Sequence, residues 1–240
     1  AACEASGGRA EEALPAAVAV ELLHSYSLVH DDLPAMDDAQ LRRGQACTHV
    51  LFGEAMGILA GDALQTRAFE VLTESALPAE RVVRQVAVLA RAAGVAGMAG
   101  GQLLDLNAEG RTHLREDEVA QIHRLKTGAL LAGSLHLGAL AGGATSESLM
   151  EFVAAGAAVG LAFQIQDDVL DATSSDAALG KTAGQDSARG KATWPAVVGI
   201  EESRRRVMAL TEEALRHLES LGAAAEPLRE LVRRAAHRVS

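Results

Sequence analysis

Two short acidic runs stand out in the chain: Asp31-Asp32-Leu33-Pro34-Ala35-Met36-Asp37-Asp38 and Gln164-Ile165-Gln166-Asp167-Asp168-Val169-Leu170-Asp171. In the second, Asp167 and Asp171 are four apart, which sets them about 40° from each other on a helix and within reach of one cation. In the first, Asp31 and Asp37 would lie about 120° apart on an ideal helix. Pro34 removes a backbone donor and clashes with the preceding turn, so the helix must bulge or end there, and a distorted end turns both carboxylates to one side. One acidic pair at a helix end is ordinarily a solvated terminus. Two clusters, each following an apolar helical stretch, oppose the helix macrodipole where Lys or Arg would be favourable. A hard divalent ion answers this arrangement best, because Mg²⁺ takes one or two carboxylates and completes its octahedron with water and phosphate oxygens. The D-x-D-x-D-G spacing and distal Glu of a calcium loop are missing.

Cations accompany the acids. Arg42 and Arg43 follow the first run, Lys126 precedes Thr127-Gly128, and Lys181 and Lys191 follow the second run. Singly, each is an ordinary surface charge. Together they suit a diphosphate clamp, in which point charges and a guanidinium fork surround metal-bound oxygens.

The elements that must position these groups read as helices. Of 240 residues, about a fifth are Ala and only six are aromatic, a composition that disfavours strands. Helical periods run over residues 15–31, 49–72, 79–99, 115–140, 146–172, 194–221 and 227–240, with a stop expected at Gly100-Gly101, a resumption suggested by Gln102, Leu103 and Leu106, and a polar loop at 173–193. The breaks are single turns, so one all-helical domain spans residues 1–240. The net charge of −10 argues against nucleic acid or an anionic membrane as partner. The uncharged run 127–146 approaches a membrane span in length, but His136, several Gly and a Ser favour a buried helix. Cys3 and Cys47 form neither a disulfide framework nor a zinc spacing, which makes a reducing, cytoplasmic setting the expectation.

Further motifs join these: Leu-Arg-Arg-Gly at 41–44, Gly-Asp-Ala-Leu-Gln at 61–65, Gly-Gly-Gln at 100–102, His-Arg-Leu-Lys-Thr-Gly at 123–128 and Phe-Gln-Ile-Gln-Asp-Asp at 163–168. In this order and spacing the chain resembles the trans-type polyprenyl diphosphate synthases, and within them the bacterial short-chain farnesyl diphosphate synthases. The resemblance implies an isoprenoid-synthase-type helical bundle around a central cavity, a homodimer, and the two acidic motifs facing each other across the cavity mouth. It implies Mg²⁺, three ions held with the substrate diphosphate. The implied reaction is ionisation of an allylic diphosphate, attack by isopentenyl diphosphate and loss of a proton.

The resemblance also assigns residues. Asp31, Asp37 and Asp167 are the direct Mg²⁺ ligands, with Asp32, Asp168 and Asp171 as nearby or water-mediated partners. Arg42, Lys126, Lys181 and Lys191 hold the allylic diphosphate, and Thr127 and Gln164 turn oxygen dipoles toward the developing cation. His24 and Arg43 match residues that bind isopentenyl diphosphate. Tyr26, five residues before Asp31, and Ser27 stand where related synthases set product length, and an aromatic ring there favours a fifteen-carbon product. The family's two leading helices and its Gly-Gly-Lys-Arg segment have no match in residues 1–15, so the chain is expected to lack roughly its first fifth. The alternatives are a geranylgeranyl diphosphate synthase, a non-catalytic diphosphate-binding partner subunit, and a terpene cyclase. The intact acidic motifs speak against the partner subunit, and the scarcity of aromatics speaks against the cyclase.

Overall fold

The computed structural model describes residues 1–111, 113–173 and 193–236, so Lys181 and Lys191 lie outside the described residues. The described residues form a bundle of helices with one two-stranded hairpin, as the composition predicts. In chain order the elements are α1 (Ala2–Ala5), α2 (Leu14–Asp31), the hairpin β1 (Leu41–Arg42) and β2 (Gln45–Ala46), α3 (Thr48–Phe52), α4 (Glu54–Thr73), α5 (Ala79–Ala93) and α6 (Met98–Ala108). There follow α7 (Glu116–His123), a π-helical turn (Arg124–Gly128), α8 (Ala129–Gly142), α9 (Ser146–Thr173), α10 (Trp194–Val198), α11 (Ile200–Glu219) and α12 (Glu226–Ala236).

Local chemistry explains most boundaries. Pro15 lies in the first turn of α2, where the missing N–H is not needed. Pro34 stops the same helix, and the chain coils back so that the Asp37 N–H donates to the Asp31 carbonyl at 2.8 Å. Two segments expected to be continuous, 49–72 and 194–221, are each divided at a glycine with positive φ, Gly53 and Gly199. The stop expected at Gly100-Gly101 falls instead between α5 and α6, at residues 94–97. Gly101 lies inside α6 because the neighbouring turn presses on it. A Cβ there would stand 2.1 Å from the Lys126 backbone nitrogen. Likewise a Cβ on Gly160 would meet Gly128 Cα at 2.5 Å, so these two glycines let α9 approach the π turn.

Helix α9 is the central element. Its Phe152, Leu161 and Ile165 are fully buried and pack with Trp194, Val207, Leu210 and Leu218 from α10 and α11. Burying a side chain of this size contributes about 1.5–3 kcal/mol. By length and composition α9 could cross a membrane, but half of its apolar window is buried inside the bundle. A second core joins Leu23 and Tyr26 of α2 to Leu72 of α4, Leu89 of α5 and Leu137 of α8. A cavity lies between the walls that carry these two cores.

Candidate active site

The cavity has a volume of about 640 Å³ and is walled by α2, α6, the π turn, α8 and α9. Asp31 from the end of α2 and Asp167 from α9 both line it, together with Lys126, Thr127 and Gln164. His24, Tyr26 and Ser27 line it along α2, while Met98, Leu130, Leu131 and Phe163 supply apolar wall. Eight of the residues proposed from sequence thus converge on one space: His24, Tyr26, Ser27, Asp31, Lys126, Thr127, Gln164 and Asp167.

Asp37 does not line the cavity itself but is drawn to Asp31 by its backbone N–H, which donates to the Asp31 carbonyl, whereas Asp32, Asp168 and Asp171 have other surroundings. Asp32 is buried beneath the hairpin and receives the Arg42 fork, Nε to Oδ1 at 2.8 Å and Nη2 to Oδ1 at 2.6 Å. The bond to Asp32 holds the Arg42 pKa above its ordinary value, against the opposing effect of burial. Burial, the bond to Asp32 and its charge push the Cys47 thiol up to about 11. Arg42 therefore ties the hairpin to the first acidic run. At its tip Arg43 and Gly44 both have positive φ, 52° and 77°. A two-residue turn of this kind favours Asn-Gly, so an arginine there is held in a conformation of order 1 kcal/mol above its preference. Asp168 and Asp171 are buried in α9 and do not line the cavity. The Asp168 carboxylate accepts the Trp194 backbone N–H at 2.8 Å and the Gln164 amide at 3.1 Å.

The lysine has an acidic partner that sequence reasoning missed. Lys126 Nζ donates to Asp105 Oδ2 of α6 at 2.6 Å. Burial alone pushes the ammonium down, but the charges of Asp105 and Asp31, the bond to Asp105 and the charge of Asp37 outweigh it and raise its pKa above the lysine value. A lone carboxylate in the apolar stretch Met98–Ala108 was the available signal, since a buried acid needs a partner. His30 was missed as well. Its Nε2–H donates to the Ile58 carbonyl at 3.0 Å, and its ring stands edge-on to Tyr26 with centroids 5.7 Å apart. The tyrosine is therefore braced from α4. Ser27 Oγ donates to the His24 carbonyl at 2.8 Å, which turns its hydroxyl back onto its own helix.

Among the described residues no three acidic, His or Cys groups converge to form a metal site on their own. The donor set nevertheless suits Mg²⁺. One hard carboxylate comes from each acidic run onto a shared cavity, and an ion that keeps water and phosphate ligands needs no protein cage.

Residues 1–228 match the polyprenyl synthetase family. The chain belongs to that family. This polyprenyl synthetase is 48% identical over 209 residues to farnesyl diphosphate synthase of Escherichia coli K12, covering 85% of the chain and 70% of the relative. It is 44% identical over 216 residues to geranylgeranyl diphosphate synthase of Cyanophora paradoxa, covering 89% of the chain and 72% of the relative. Among solved structures it superposes on a Helicobacter pylori geranyltransferase complexed with magnesium and isoprenyl diphosphate, with a TM-score of 0.81 and 35% identity over 94% of the chain and 73% of that protein. The fold is thus the all-helical one that the motifs imply.

Removing Asp105 leaves a buried cation without its partner. Asp105→Ala is expected to lower unfolding free energy by about 2 kcal/mol in urea denaturation, less than the loss of a fully buried pair because Lys126 retains some exposure. The folded pKa of Lys126 is raised, so its contribution is fully present below the ordinary lysine value of 10.5 and fades as pH rises beyond it. The gap between variant and wild type is expected to be constant from neutral pH to about pH 9 and to narrow above about pH 10.5.

Proposed function

We propose that this polyprenyl synthetase condenses isopentenyl diphosphate with dimethylallyl or geranyl diphosphate by head-to-tail coupling, with farnesyl diphosphate as its product. One observation carries the reading: a single cavity has Asp31, Asp167 and Lys126 in its lining and runs along α2 past Tyr26 and His24 to Val20, beside apolar walls.

In this reading Asp31, Asp37 and Asp167 would hold Mg²⁺, in the three-ion stoichiometry that the family resemblance implies. When bound, the metal supplies positive charge that makes diphosphate a better leaving group. Lys126, kept charged by Asp105, holds the diphosphate at the mouth, and the resemblance assigns Lys181 and Lys191 to the same anion. Thr127 and Gln164 place oxygen dipoles beside the allylic cation, which a formal negative charge would trap. Met98, Leu130, Leu131 and Phe163 keep water from it. His24 and Arg43 receive the isopentenyl diphosphate. Tyr26 sets its ring against the cavity about 7.5 Å along the helix axis from Asp31 and limits the growing chain there.

Two further parts belong to the proposal. The chain works as a homodimer, because Leu51, Phe52, Met56 and Leu59 of α3 and α4 are all more than half exposed and form an apolar face. It works in the cytoplasm, in keeping with two buried free cysteines.

The protein is expected to convert isopentenyl and geranyl diphosphates with Mg²⁺ into a fifteen-carbon diphosphate, read by chromatography. Absence of any condensation would sink the reading, and a twenty-carbon product would favour geranylgeranyl diphosphate synthesis instead. Tyr26→Ala is expected to lengthen the product; an unchanged product spectrum rejects a length-limiting role for the ring. Leu59→Glu is expected to halve the mass seen by light scattering, and an unchanged mass places the contact elsewhere.

A further inference from the structure

The second acidic run pairs two adjacent acids that the fold treats differently. Asp167 lines the cavity, whereas Asp168 is 4% exposed and lies behind it. Among the described residues, three elements converge on the Asp168 carboxylate: the Trp194 backbone N–H of α10 at 2.8 Å, the Gln164 Nε2 one turn earlier on α9 at 3.1 Å, and His123 Nε2 of α7 at 3.3 Å. The His123 ring stacks on the Trp194 indole at 6.0 Å, and both side chains are buried.

The bond to Gln164 has a consequence for the cavity. An amide side chain has one donor end and one acceptor end. A carboxylate accepts only, so Asp168 must take the NH₂ end of Gln164, and the carbonyl end is left for the other side. There Gln164 Oε1 accepts the Thr127 hydroxyl at 2.7 Å. With its proton committed to Gln164, the Thr127 oxygen keeps its lone pairs for the cavity that both residues line. A single carboxylate thereby fixes the direction of two dipoles at the cavity wall: the Gln164 carbonyl is turned to Thr127, and the Thr127 hydroxyl proton is turned to Gln164.

We infer that Asp168 is a positioning residue rather than a metal ligand: it orients the Gln164 amide, and through it the Thr127 hydroxyl, so that oxygen faces the cation. This rests on the prenyltransferase reading and gives the two neighbouring acids separate roles.

The test compares Asp168→Asn with Asp167→Asn in steady-state condensation across a Mg²⁺ titration. An Asn at 168 can donate to Gln164, which lets the amide turn its NH₂ end to the cavity. Asp168→Asn is expected to lower kcat by about 100-fold, the scale of losing one preorganised dipole, with the Mg²⁺ concentration for half-maximal rate and the KM for geranyl diphosphate changed by less than about twofold. Asp167→Asn is expected to raise the Mg²⁺ requirement. Gln164→Leu removes the oriented group itself, so the double variant Asp168→Asn/Gln164→Leu is expected to be no slower than Gln164→Leu alone.

Two results overturn the inference: an Mg²⁺ requirement that rises in Asp168→Asn as in Asp167→Asn, or losses that multiply in the double variant. Should Asp168→Asn not fold, Asp168→Glu keeps the charge and displaces the acceptor by one methylene. It is then expected to lose kcat at an unchanged Mg²⁺ requirement, and a raised requirement counts against the inference. Failure of the wild type to condense at all would instead remove the prenyltransferase reading.

Discussion

Like charge gathered at the mouth of an apolar cavity governs how the surrounding elements are tied together. Two carboxylates about 8 Å apart repel by about 2 kcal/mol at the effective dielectric of a protein surface, and the mouth gathers acids from two runs. The fold limits this by giving Asp32 and Asp168 of those runs, and Asp105 of α6 beside them, partners of their own. Asp32 is taken by Arg42, Asp105 by Lys126, and Asp168 by a backbone N–H and an amide. Each of these contacts also fixes something the reaction would need: the hairpin that carries Arg43, the charge on Lys126, and the direction of Gln164.

Close backbone contact makes these contacts possible. The π turn at Arg124–Gly128 sits where α6 and α9 press on it, through Gly101 on one side and Gly160 on the other. A single π turn inside a longer helix costs regular hydrogen bonding and is frequent at functional sites. Here it displays Lys126 and Thr127 to the cavity while their neighbours Gly128 and His123 are buried. The same economy appears at the other wall, where His30 binds the Ile58 carbonyl and its ring braces Tyr26.

Much of this was legible in the residues. Helical periods located the long helices but not their breaks at Gly53, Gly199 and residues 94–97, and Pro34 foretold that the first acidic run would fold back on itself. What stayed hidden depends on contacts between distant segments. Gly100-Gly101 reads as a helix stop in isolation, and only the nearness of the Lys126 backbone explains why glycine stands inside α6. Asp105 is 21 residues from its partner, so no local spacing pairs them. Asp167 and Asp168 are chemically identical in the sequence. A helix rotates adjacent residues by about 100°, which is enough to put one in the cavity and the other in the core.

The acidic composition also changes meaning. A net charge of −10 suggests that anions are unwelcome, yet the proposed substrates are diphosphates, admitted because a bound divalent ion reverses the sign of the mouth. That reversal is the central claim. Calorimetric titration with geranyl thiodiphosphate, whose sulfur bridge resists ionisation, isolates it from chemistry. Binding is expected to be of order micromolar with Mg²⁺ and to weaken at least about 100-fold when EDTA replaces the metal. Equal affinity with and without Mg²⁺ would contradict it.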